Sequence, residues 1–164
     1  MINRVDSEEN VPLSMDVEIY NLVIHRMAGS DHGWGKPYGF QCLFVLGYAV
    51  PDVENSVTDF AEPADERLFD DALKAALQAK PAGLPPLIFV QSFLDIYDTS
   101  RQGHVQVRNG GAFIALGPIE VDSDSATVGA MFYAGLRWAW WMRYHLEQFS
   151  GEWHMARVEL LAVS

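Results

Sequence analysis

The sequence predicts an α+β chain in which a curved antiparallel sheet of four to six strands wraps around N-terminal helices. Three observations predict it. Apolar residues recur at helical spacing only in the first half of the chain, whereas the last third breaks into short β-rich runs separated by turn residues. The stretch LRWAWWMRYHLEQFSGEW, Leu136 to Trp153, also holds four of the five tryptophans, and an extended backbone would sort these indoles onto two faces.

Composition sets the outer limits. A chain of 164 residues is long enough to bury roughly 70% of its unfolded surface, so one domain over residues 1–164 is expected, with residues 1–13 a loose acidic leader. Hydrophobic residues make up 49% and charged residues 20%, the balance of an ordinary globular protein and not of a disordered one. The formal net charge is −11, and no block of Lys and Arg offsets it locally. Such a field repels phosphate backbones and anionic lipid, which argues against nucleic-acid and membrane-surface partners. Most of the charge sits in Met1–Thr99, with sixteen acidic and six basic side chains, as expected of solvated helix faces and loops. Cys42 is the sole cysteine, so neither an internal disulfide nor a thiolate metal site can form. The N-terminus lacks an apolar signal region, and no apolar run reaches the roughly 20 residues that cross a bilayer. A cytoplasmic location is therefore expected.

Taken in order, Ser14–Met27 reads as the first helix: Val17, Tyr20, Val23, Ile24 and Met27 share a stripe, Asp16 and Glu18 fall in the first turn, and Gly29 ends it. Gly29–Gly39 crowds four glycines and a proline and reads as a loop. Phe40–Val50 is apolar on both faces and predicts a buried strand closed by Pro51. Ala64–Lys80 predicts a second helix with Leu68, Phe69, Ala72, Leu73, Ala76 and Leu77 on one stripe. Leu87–Tyr97 predicts a strand, and Val105–Leu116, Ala126–Leu136, Trp138–Phe149 and Trp153–Val163 a meander whose DSDS and SGE connections imply antiparallel hairpins.

If Trp138–Phe149 is a strand, Trp138, Trp140, Met142, Tyr144 and Leu146 share one face, and Ala139, Trp141, Arg143, His145 and Glu147 the other. The first face is apolar and is expected to pack on the helices. Trp141 shares its face with charges, which predicts a rim, an oligomer interface or a pocket mouth. In the preceding strand, small residues such as Ala126, Ala130 and Ala134 next to indoles suit a sheet that curls.

The order of helix, strand, helix, strand and meander, with Tyr133 and Gly135 followed by Glu147, Gly151 and Trp153, resembles the cystatin-like or nuclear-transport-factor-2-like superfamily, and in particular uncharacterised bacterial members of it. At motif level the resemblance covers Phe113–Ser164, and element order alone carries the remainder. It implies a cone of sheet around helices and a superfamily that includes isomerases, cyclases, dehydratases and non-catalytic association domains. The Asp and Tyr pair of the superfamily's enzymes has no match here by position, and Arg137–Trp141 places bulk where related sequences are often glycine-rich.

Neither metal-ligand spacing among the five histidines, nor a nucleophile elbow, nor a phosphate loop is present, so no metal and no cofactor are expected. General acid–base work in a partly dry pocket is the chemistry left open, with His32, His145, Asp31 and Tyr38 as catalytic candidates. Tyr20, Trp138, Trp140, Trp141 and Tyr144 are the candidates for contact with an apolar small molecule. Three functions follow: a ligand-binding or homodimerising domain, an acid–base enzyme acting on a hydrophobic small molecule, and a non-catalytic regulatory or structural subunit.

Overall fold

The computed structural model describes residues 11–31, 39–53, 67–79, 83–98, 106–135 and 138–164. Helix α1 (Val11–Gly29) leads into strand β1 (Leu43–Leu46), helix α2 (Asp71–Gln78) and strand β2 (Leu87–Val90). Strands β3 (Ala112–Leu116), β4 (Glu120–Asp122), β5 (Ser125–Gly135), β6 (Trp138–Phe149) and β7 (Glu152–Val163) complete one sheet of order β2-β1-β3-β5-β6-β7, with β4 paired to β5 beside that path. The architecture is α+β, as expected. The sheet, however, has seven strands and is mixed: β1 runs parallel to both β2 and β3, and only the part from β3 onward is antiparallel. The physical reason is connectivity, because two long crossovers, one of them carrying α2, return the chain in the same direction, whereas hairpins reverse it.

Local chemistry fixes the element ends. Helix α1 begins at Val11, so Val11–Leu13 are helical and not leader, and Asp16 and Glu18 fall beyond the first turn. The remainder of the leader lies outside the described residues. In α2, Asp70 is the N-cap and its carboxylate accepts from Leu73 N at 2.7 Å. That cap starts the helix at Asp71, seven residues after the expected Ala64; Leu68 instead bridges to Tyr48 and is exposed. The strands expected at Phe40–Val50 and Leu87–Tyr97 shorten to four residues each, and Ser92 caps a 3-10 turn at Phe93–Asp95 inside the second of them. The run from Val105 likewise spends Arg108–Gly110 in a 3-10 turn before β3.

The meander follows the sequence closely. Ser123 (φ 57°) turns the β4–β5 hairpin, while Ser150 (φ 56°) and Gly151 (φ 76°) turn β6 into β7. Two consecutive positive φ values match the right-handed twist of the flanking strands. The indole-rich segment is extended over Trp138–Phe149, with the two predicted faces.

One face of the sheet packs with α1 and α2 into a core that includes Ile19, Val23, Met27, Leu43, Val45, Phe132, Trp138 and Tyr144. The other face forms a second cluster of Phe44, Leu46, Phe93, Ile96, Phe113, Met131, Tyr133 and Trp141. The parallel strands are thus covered on both sides, which explains their unbroken apolar runs. Trp141 is 9% exposed and part of this second core, so it is not the rim residue its charged neighbours along β6 suggested. The reason lies across the strands: Met131 is its neighbour on β5, and both belong to the cluster on that face of the sheet.

Candidate functional site

On the helix-bearing face, the predicted aromatic candidates are engaged by the chain itself. The buried Tyr20 hydroxyl donates to the Gly117 carbonyl at 2.9 Å, which pins α1 to the end of β3. Tyr144, fully buried on β6, donates to Asp31 Oδ2 at 3.2 Å, and that carboxylate also meets Arg26 at 3.2 Å. Burial and then the nearby Asp16 hold the Tyr20 hydroxyl well above its usual range. Burial, then Asp31, does the same to Tyr144. Both phenols are therefore structural donors and not proton shuttles near neutrality. Glu18 adds a third tie from α1, accepting from Trp153 N at 2.8 Å at the start of β7.

Asp16 is a titratable group whose environment the sequence does not reveal. Burial raises its carboxyl above the ordinary 3.8, and the neighbouring Asp70 raises it further. The folded chain then holds this proton more tightly than the unfolded chain, so stability falls as pH rises from 3.8 through the folded value and stays lower above it. Asp16→Asn is expected to raise Tm at pH 7 and to give no gain below the unfolded value, which thermal melts at pH 3 and pH 7 would check.

The opposite face of β5, β6 and β7 carries the polar residues. Register aligns Thr127, His145 and Arg157 in one row and Gly129, Arg143 and Glu159 in the next, with Glu120 of β4 opposite Thr127. Glu159 lies 3.3 Å from His145 Nε2 and 3.8 Å from the Arg143 guanidinium. The His145 bond, with help from the arginines, holds the Glu159 carboxyl below its usual range. Arg157 approaches the same Nε2 at 3.2 Å; one ring nitrogen can donate to Glu159 or accept from Arg157, not both at once. Beside this ladder, Asp52, Gly117, Pro118, Glu120, Thr127, Gly129 and Arg143 line an open cavity of about 50 Å³. Gly117 is needed there, since a Cβ would lie 3.0 Å from the Gly129 carbonyl and 3.2 Å from Val53. The cavity is polar and far below the roughly 300 Å³ at which pockets hold a drug-sized ligand.

Strand β7 is an outer edge. It is hydrogen-bonded to β6 along its length and pairs with no other described strand; near its start the Trp153 N–H is taken by Glu18 of α1. Leu160 (48%) and Val163 (57%) are exposed, and they share the helix-bearing face with the half-buried Trp140 and Val158. Two register shifts interrupt the β6–β7 ladder, between Trp141 and Met142 and between His145 and Leu146, and they leave Arg157–Leu160 as the regular stretch between them.

The sequence-predicted residues do not converge. Tyr20, Trp138 and Tyr144 lie in the first core and Trp140 at its margin, but Trp141 is on the far side of the sheet. Asp31 and His145 are likewise on opposite faces, and His32 and Tyr38 lie outside the described residues. Arg143, Arg157 and Glu159 are the residues that sequence reasoning missed. Alternation along β7 is the signal that would have found the last two, but the register shifts break it. Among the described residues no cluster of three metal-ligating side chains occurs and no helix is long and apolar enough to cross a membrane. No family model, curated protein or solved structure matches the chain.

Proposed function

We propose that the chain is a non-catalytic binding domain that works through protein contact, with the β7 edge and its apolar margin as the contact surface. One observation carries this: an outer, twelve-residue strand that no other described strand pairs with beyond β6, open past its Glu18-capped start and bearing two exposed large apolar side chains. Protein edges of that length are normally blunted by lysine, proline, bulges or a covering segment, because their unpaired amides and carbonyls template further pairing; the two register shifts of β7 blunt its ends and leave Arg157–Leu160 regular. Neither Lys nor Pro occurs in Glu152–Val163. Commitment of the Tyr20 and Tyr144 hydroxyls to internal bonds speaks against an acid–base enzyme built on those residues.

A photo-reactive amino acid placed at Leu160 in living cells tests the reading. It is expected to yield a discrete covalent adduct to protein, whereas the same probe at Leu94, exposed on the 3-10 turn after β2, is not. Equal labelling at the two positions, or none at Leu160, would remove the contact surface.

A further inference from the structure

We infer that the occupant of the β7 edge is a second copy of this chain, paired antiparallel β7 to β7 about a two-fold axis through Val158; this rests on the binding role proposed above. In a continuous sheet the axis stands perpendicular to the sheet, and residues that meet across it must point to the same side. Only an axis through a residue satisfies that, and the regular stretch Arg157–Leu160 then offers few choices. An axis through Arg157 sets two guanidiniums against each other, one through Glu159 sets two carboxylates against each other, and one through Leu160 sets Glu159 against Leu161, where the register shift breaks the regular strand. With the axis through Val158, Arg157 meets Glu159 of the copy, and the same contact repeats by symmetry.

The surrounding rows support the same register. On the polar face Arg143 and Glu159 already alternate in charge along their row, and the copy's arginine continues the alternation outward. On the other face the row Tyr144–Val158 is extended by a second Val158, and the exposed Leu160 gains an apolar neighbour strand. The register shifts on either side confine the pairing to this short segment, where the edge is straight.

Charge reversal with complementation tests it. Sedimentation equilibrium should show the wild type as a dimer. Arg157→Glu places two carboxylates opposite each other at both contacts, and Glu159→Arg does the same with guanidiniums; each alone should weaken dimerisation about tenfold, since like charges directly opposite are destabilising. Mixed in equal amounts, the two variants should dimerise nearly as tightly as wild type, because only the mixed pair has unlike charges at both contacts. Circular dichroism of each variant checks that the fold is kept. A wild type that stays monomeric at every concentration, or a mixture no tighter than its components, overturns the inference. If Leu160 still cross-links to a different protein while the chain is monomeric, the edge is a binding surface and its partner is not a copy.

Discussion

Trp141→Ala is expected to lower the free energy of unfolding by about 3–5 kcal/mol, the range for removing a large aromatic side chain from a packed core. The side chain is 9% exposed and belongs to the cluster of Phe113, Met131 and Tyr133 behind the sheet. Its indole N–H is buried without a hydrogen-bond partner among the described residues. A buried donor left unmatched costs about 1–3 kcal/mol, so Trp141→Phe, which keeps most of the apolar surface and removes the donor, should cost less than half as much as the alanine change. Urea unfolding of the three proteins measures both differences. Because Trp141 is internal, neither substitution should shift the monomer–dimer balance at matched folded concentration. A Trp141→Ala protein of wild-type stability but altered assembly would return this residue to the subunit rim.

Gly111→Ala is expected to destabilise the fold by about 1–3 kcal/mol, the usual cost of overpacking. The cause is crowding: a Cβ at this position would lie 2.7 Å from Cys42 Sγ, 3.0 Å from the Cys42 carbonyl and 3.0 Å from the Phe44 ring. Gly111 lets the chain leave the Arg108–Gly110 turn, where Asn109 and Gly110 have φ of 58° and 65°, and enter β3 directly against β1. Cys42→Ala shrinks one of the three obstacles, so the double variant should lose less than the two single changes added together. Denaturation midpoints for the four proteins of that cycle supply the measurement; additive losses would mean that the thiol is not the obstacle.

The meander was legible because its signals are local. Period-two alternation over Trp138–Phe149 and turn residues at DSDS and SGE specify strands and hairpins without reference to distant parts of the chain. The parallel trio was not legible, because an apolar run such as LFVL states burial on both faces but not the direction of its neighbours. Helix starts were misplaced where a side-chain cap, as at Asp70, outweighed an apolar stripe that continues upstream into Leu68 and Phe69. Trp141 was misjudged because its company along β6 is charged, whereas it sits beside Met131 of β5 in a cluster whose other members, such as Phe44 and Phe113, are far away in sequence. The same limit applies to Arg157 and Glu159, whose meaning depends on register shifts that no residue announces by itself.

Strand β1 sends Leu43 and Val45 into one apolar cluster and Phe44 and Leu46 into the other. The partition between the two hydrophobic compartments is therefore a single polypeptide thickness at the middle of the molecule, and neither side can loosen without displacing the backbone that the other leans on. Two cores joined back to back in this way should melt as one body.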